Sequence, residues 1–366
     1  MAERLPRATP GSPIERRGRR AALAEARSTS AGPTLADLGE WELIRRLGAF
    51  APPGQFNDDA ALLTLAAGEP PLVLNTDVLV EGLHFSERTT AAADVGWRAA
   101  AANLSDLAAM GATTVVGLTV GLVAPADTPW AWVEGVYGGL REALAPEGGV
   151  LLGGDCSGGA QRLLAITALG RLAAGAGPLR RGDGRPGDRL VCTGPHGLSR
   201  LGLALLQAEP GGEQAAALAE LDPDLRRRAI DAHRRPRPRF DAVRALIDSR
   251  PAGLAWRVGG CDSSDGLAAA VAAIAAASDC GARLDRSRLP LDAAMARLDA
   301  AESWCLGGGE DFELVLALPP AWADALATRL AGVRPIGELV PASPGSLGWQ
   351  DGGSWADGPA GFQHFH

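Results

Sequence analysis

The chain has 366 residues, 46% of them hydrophobic and 21% charged, which excludes a fibrous or wholly disordered architecture and leaves room for two ordinary domains. All 35 basic residues are arginine, so a P-loop lysine, a protein-kinase strand lysine and Schiff-base chemistry are excluded. The net charge is −8, and the seven Arg and three Glu of residues 1–34 leave about −12 on the rest, a balance that disfavours nucleic acid as a partner and suits divalent cations. The five cysteines are scattered with no C-x-x-C pair, which argues against a disulfide framework or zinc site and fits a cytoplasmic protein. No run of 18 apolar residues offers a membrane span.

Residues 1–34 mix Pro, Gly, Ser and Arg without apolar periodicity and read as a disordered tail lacking the apolar core of a secretory signal. A short amphipathic helix follows at 39–47, then strands at 60–65 and 72–78, a helix at 94–110, a β-branched strand at 113–123 and a helix at 130–144. Strands are expected at 149–153 and 162–172. The segment RRGDGRPGD, Arg180–Asp188, is dense in turn residues and is read as the boundary between an N-terminal domain (35–180) and a C-terminal domain (181–366). Beyond it come a strand at 188–193, helices between 198 and 248, strands at 255–258 and 282–286 around a helix at 265–278, a strand at 312–318, a helix at 320–331 and two short strands. Strands alternating with helices in both halves predict α/β or α+β packing.

The chemistry shows in acids set among apolar residues. Asp77 interrupts the strand-like LVLNTDVLV, and a buried lone carboxylate needs a cation, a metal or hydrogen-bond donors. Asn103 and Asp106 are three apart on an otherwise apolar helix and share a face. Comparable interruptions occur at Asn57-Asp58-Asp59, at Gly153-Gly154-Asp155, at Asp262-Ser263-Ser264-Asp265 and at Gly307-Gly308-Gly309-Glu310-Asp311. Each alone reads as a cap, a turn or a solvated loop; together, acids beside Gly-rich turns suit hard cations such as Mg²⁺ bridging phosphates. The glycine-rich TGPHGLSRLGL (193–203) is a weak phosphate-loop signal, and His84 is read as either packed or ligand-contacting.

In order, GEWELIRRL (39–47), NDDAALL (57–63), NTDVLVEGLHF (75–85), NLSDLAAMGA (103–112), LLGGD (151–155), RPGD (185–188), HRRPRPR (233–239), DSSDGL (262–267), GGEDFEL (308–314) and GFQHF (361–365) resemble the thiamine-monophosphate kinase family of the aminoimidazole-ribonucleotide-synthetase-like ATP-binding superfamily. The resemblance implies ATP-dependent phosphorylation of thiamine monophosphate in a homodimer whose N-terminal domains pair their sheets. It implies Mg²⁺ ligands at Asp59, Asn75, Thr76, Asp77, Asp106, Asp155, Asp262 and Asp265. It implies ATP contacts from Tyr137, Gly154, Asp155, Arg181 and Ser264, and thiamine-substrate contacts from His84, Glu310 and Phe362. Asp77, Asp106, Asp155 and Arg181 would carry catalysis. Asn57, Cys156-Ser157, Leu198 and Gln363 depart from the family's pattern without deleting a core metal ligand. A sister synthetase of the superfamily, or a non-catalytic nucleotide- or metal-binding regulator on the same fold, is the competing reading.

Overall fold

The computed structural model describes residues 35–47, 49, 53–54, 57–63, 69–209, 218, 220–353 and 355. The expected Arg-rich tail, together with Phe362 and Gln363, lies outside them. The first helix, α1 (Leu35–Leu47), falls in a small unit of its own, where Arg46 pairs with Glu42 at 2.8 Å. Every element below belongs to a second compact unit.

That unit carries two sheets. The first contains β1 (Ala61–Leu63), β2 (Leu72–Val80), β3 (Ala112–Ala124), β4 (Val150–Gly158) and β5 (Leu163–Leu172), in the order β1-β2-β5-β3-β4. All pairs are antiparallel except β3 with β4, which are joined by the crossover helix α3 (Trp130–Leu144). Alternation sets the two faces: Val73, Leu79, Leu164, Ile166, Ala168, Leu118 and Val120 point into the core. Helix α2 (Ala92–Ala109) covers this core face, burying Ala99, Leu104, Leu107 and Ala108. Its contact with α3 is a backbone contact made through glycine. A Cβ on Gly96 would lie 1.9 Å from the Val136 carbonyl oxygen, and one on Gly139 would lie 1.8 Å from that of Ala93. The alanine-rich composition of α2 thus brings its polar residues close to the strands beneath.

The second sheet contains β6 (Arg189–Cys192), β7 (Gly259–Asp262), β8 (Gly281–Leu284), β9 (Leu314–Leu318), β10 (Arg334–Val340) and β11 (Leu347–Trp349), in the order β11-β8-β10-β6-β9-β7. Helices α4 (Leu198–Gln207) and α5 (Pro223–Arg234) pack on each other, and α6 (Phe240–Asp248), α7 (Leu267–Ala277), α8 (Ala301–Gly307) and α9 (Pro320–Arg329) share their cores with the sheet. The chain is therefore a mixed α/β protein with two sheet-bearing regions, as its alternating pattern implies. A single turn at Arg181–Asp183 lies between the two sets of strands, and the Arg180 backbone there bridges to Gly259.

Two strands differ from expectation in ways that matter for the site. The strand expected at 255–258 lies instead at Gly259–Asp262, where pairing with β9 (Gly259 opposite Ala317, Asp262 opposite Leu314) overrides the weak strand preference of two glycines. Asp262 is thus the last residue of a strand. The strand expected to stop at 153 continues to Gly158, because β3 offers it partners as far as Ala124. Asp155 therefore sits within a strand rather than in a turn after one.

Candidate active site

Three carboxylates from distant parts of the sequence meet in one place. Asp59 comes from the segment before β1, Asp106 from the last turn of α2 and Asp262 from the end of β7, and one oxygen of each lies within 4.8 Å of the others. Donors hold them there. Asn75 Nδ2 donates to Asp106 Oδ2 at 2.7 Å and to Asn103 Oδ1 at 3.2 Å, and Asn103 Oδ1 also accepts the Asp77 backbone N–H at 3.1 Å. Ser105 Oγ donates to Asp262 Oδ2 at 2.6 Å, while the hydroxyl and backbone N–H of Ser264 donate to Asp262 Oδ1 at 3.0 and 3.3 Å. Arg181 is ion-paired with Asp59 through its guanidinium and donates its backbone N–H to Asp58 at 2.9 Å.

One guanidinium does not balance this much negative charge. Burial pushes Asp59 up to about 7 against the pull of Arg181, with Asp262 and Asp58 adding to the rise. Burial and the charge of Asp262 push Asp77 up to about 6. Asp106 is raised well above the carboxylate range by burial first and then by Asp77, Asp262 and Asp59. Asp59 Oδ2 and Asn75 Oδ1 are buried oxygens with no hydrogen-bond partner among the described residues. Oxygen-only donors, excess negative charge and unpartnered buried oxygens fit Mg²⁺.

The remaining expected site residues fall into three places. Thr76 lies on the opposite face of β2 from Asn75 and Asp77, its hydroxyl 2.8 Å from that of Thr167, so its side chain does not join the carboxylates. This follows from the two-residue period of a strand, which sends neighbours to opposite faces. Gly154 and Asp155 lie on β4. By register Asp77 faces Ile166, which faces Val120, next to the Gly121 that faces Asp155; three strand spacings, roughly 14 Å, separate the two aspartates. Tyr137 belongs with this second group, its hydroxyl raised by burial and by the neighbouring Cys156. A Cβ on Gly154 would lie 2.0 Å from the Val120 carbonyl oxygen, so only glycine fits there. Asp265 is exposed at the turn before α7 and lies outside the carboxylate trio.

Two of the residues expected to contact substrate, His84 and Glu310, share the Arg98 guanidinium beside the GGED turn. Glu310 and Phe312 have positive φ angles of 57° and 50°, and the Glu310 N–H donates to the Ser264 carbonyl at 2.7 Å. The Glu310 carboxylate is ion-paired with Arg98, and its other oxygen lies 3.7 Å from His233 Nδ1. His84 is half-buried, with Nδ1 accepting the Val80 N–H at 3.0 Å. Arg98 went unread in the sequence although it interrupts the apolar helix as Asp106 does; the reasoning applied to lone buried acids applies equally to a lone buried base. Asp311, grouped in the sequence with the acids suited to cations, has a different role. It accepts the N–H groups of Gly197 and Ser199 at 2.6 and 3.0 Å, so the amides at the start of α4 are satisfied internally rather than offered to a phosphate. Leu198, one of the departures from the family pattern, is buried there.

Two family models match the chain: the AIR synthase related protein N-terminal domain over residues 57–172, and its C-terminal domain over residues 185–350. A thiamine-monophosphate kinase of Prochlorococcus marinus is 45% identical over 87% of this chain and 93% of its own length. The chain belongs to the thiamine-monophosphate kinase family. The relative from Synechococcus elongatus is 46% identical over 91% of this chain and 98% of its own. The solved structure of AaThiL complexed with AMPPCP and TMP superposes with a TM-score of 0.77 at 27% identity, covering 92% of this chain and all of that one. Of the eight residues expected as Mg²⁺ ligands, the fold gathers Asp59, Asp106 and Asp262 in one place.

The raised carboxyls make a stability prediction with a definite sign. A carboxyl whose pKa is raised by folding, here from 3.8 to about 7 for Asp59 and about 6 for Asp77, makes the folded state bind more protons than the unfolded one, so its contribution to stability falls as pH rises through that window. Without divalent cations, the unfolding temperature should drop between about pH 5 and pH 8, and Mg²⁺ should raise it more at pH 8 than at pH 5. Asp106→Asn should flatten both trends. An equal Mg²⁺ shift at both pH values, read by differential scanning fluorimetry, would contradict this.

Proposed function

We propose that the chain transfers the γ-phosphoryl group of ATP directly to the phosphate of thiamine monophosphate, yielding thiamine diphosphate and ADP, with several Mg²⁺ ions held by its acidic cluster. The observation that carries this reading is the junction of the two groups of residues. Ser264 bonds the metal-type carboxylate Asp262 with its hydroxyl and receives Glu310 at its carbonyl, so acids suited to Mg²⁺ and a residue directed at the thiamine substrate share one turn.

The acceptor phosphate is already an anionic nucleophile near neutral pH, its second pKa being about 6, so little general-base help is needed. Charge repulsion between two phosphate-bearing substrates is the obstacle. Asp59, Asp77, Asp106 and Asp262 would hold Mg²⁺ in the chain, with Asn75 and Asn103 fixing Asp106 and the Asp77 backbone. When bound, Mg²⁺ screens that repulsion and stabilises charge on the transferring and leaving oxygens. Arg181, anchored on Asp58 and Asp59, supplies fixed positive charge beside the same carboxylates, and no residue stands out as a covalent phosphate carrier.

A homodimer completes the reading. The outer face of the first sheet carries Leu74, Val78, Leu163 and Leu169, with Val78 44% exposed, and β4 is exposed along its whole length, including Val150, Leu151 and Leu152. The roughly 14 Å that three strand spacings put between Asp77 and Asp155 in one copy suits a site completed by the Tyr137–Gly154–Asp155 group of a second copy. Free cysteines, with four of the five buried, fit a cytoplasmic enzyme.

A time course with Mg²⁺, ATP and either thiamine monophosphate or thiamine, resolved by chromatography, should give diphosphate from the monophosphate alone. Asp106→Asn should lower the rate at least about a hundredfold while keeping the fold. Product from thiamine, or full turnover by the variant, would refute the assignment. The dimer is tested by complementation: Asp77→Asn and Asp155→Asn should each be inactive, and unfolding and refolding them together should restore activity. No recovery in mixed dimers would place both residues in one copy's site.

A further inference from the structure

Arg98 is the least expected charge in the protein. It lies on α2 among Ala99, Ala100 and Ala101, its side chain is 4% exposed, and it is absent from the roles implied by the family motifs. A buried guanidinium is costly unless its donors are used. Here Nη1 and Nη2 reach three segments distant in sequence, the backbone carbonyl of His233 at the end of α5, the backbone carbonyl of His84 at 3.3 Å in the turn after β2 and the carboxylate of Glu310, while Nε has no partner among the described residues. The His84 carbonyl and Glu310 share the same Arg98 nitrogen, Nη2. His84 belongs to the substrate-directed set, and His233 approaches the second Glu310 oxygen at 3.7 Å.

Glu310 is thereby held from both ends. Its backbone is fixed in the left-handed region by the bond to the Ser264 carbonyl, and one carboxylate oxygen is fixed by Arg98. A non-glycine residue at φ 57° persists only where its surroundings impose that conformation. The Glu310 side chain is nevertheless 35% exposed, and its second oxygen, 3.7 Å from the His233 ring, makes no hydrogen bond to Arg98. Burial and the charges of Arg98, Arg234 and Arg200 push His233 down to about 3, so the histidine is neutral near pH 7 and Arg98 is the cation that balances Glu310. A carboxylate already neutralised by an internal arginine serves a ligand as an aimed hydrogen-bond acceptor more than as a counter-ion.

We propose that Arg98 is a positioning residue for the acceptor substrate, fixing Glu310 so that its second oxygen accepts a hydrogen bond from the amino group on the pyrimidine of thiamine monophosphate. The proposal rests on the kinase reading and adds to it the group that sets the substrate acid. It also explains why the arginine is on α2. Arg98 and Asp106 are eight residues apart on one helix, about 12 Å along its axis, so a single rigid element sets the acid that faces the heterocycle and a carboxylate of the metal cluster. Phosphoryl transfer depends on such fixed spacing between the acceptor's two ends.

The test is a double-mutant cycle on Arg98→Met and Glu310→Ala, varying each substrate with the other saturating and reading KM for thiamine monophosphate, KM for ATP and kcat. Each single variant should raise KM for thiamine monophosphate by about 10- to 100-fold and leave KM for ATP within about twofold. The double variant should be no worse than Glu310→Ala alone, because an Arg98 that acts through Glu310 has nothing left to position. Arg98→Lys, which keeps the charge and loses the planar fork, should show a smaller rise and serves if the methionine variant does not fold. Multiplying effects in the double variant, or a parallel rise in KM for ATP, would make Arg98 a general structural residue and overturn the proposal. An unchanged KM in Glu310→Ala would instead remove Glu310 from the substrate site, a failure of the underlying reading that the cycle separates from a failure of Arg98.

Discussion

Excess negative charge in a buried place is the constraint around which this protein is organised. Asp59, Asp106 and Asp262 are brought within a few ångströms of one another with Asp77 nearby, and Arg181 is the cation paired among them. Left alone, such a group would sacrifice stability to repulsion and desolvation, and the raised carboxyls express that tension. Much of the architecture can be read as the means of sustaining it. The glycine contacts between α2 and α3 seat the helix that carries Asp106, and β7 ends on Asp262 because β9 pairs with it to that point. Asn75, Asn103, Ser105 and Ser264 then supply neutral donors where further arginines would cancel the charge a divalent cation requires.

The same helix connects the two kinds of chemistry. At its C-terminal end α2 offers a carboxylate to the cluster, and two turns earlier it offers a guanidinium to Glu310, the acid proposed to face the substrate. The turn from Asp262 to Asp265 makes the corresponding connection from the second sheet, through Ser264. Metal-type acids and substrate-directed residues are therefore coupled by a helix and a hydrogen-bonded turn rather than by flexible loops. That coupling suits a reaction whose rate depends on placing two phosphate groups in line.

Much of this was legible in the sequence because a carboxylate amid apolar residues has few innocent explanations. Asp77, Asp106 and Asp262 stood out on that ground, and the order of motifs pointed to the family. What the sequence concealed was direction and partnership. Thr76 looked like a neighbour of Asp77, but the strand period sends it to the other face. Asp155 looked like a turn residue until pairing with β3 carried the strand past it, leaving it about three strand spacings, roughly 14 Å, from Asp77. Asp311 seemed part of an acidic pair, yet it is spent on the amides at the start of α4. Arg98 went unread because a lone arginine in a helix more often lies at the surface, and only the contacts of α2 with the GGED turn show its burial.

The proposed divalent-cation site would keep protons on some of its carboxyls until the cation arrives. Calorimetric titration of the protein with Mg²⁺ at pH 6.5, in two buffers of different ionisation enthalpy, measures that exchange directly. Net proton release on binding is expected, shrinking at pH 8 and largely lost in Asp106→Asn. Binding without proton release at pH 6.5, or release unaffected by the variant, would contradict it.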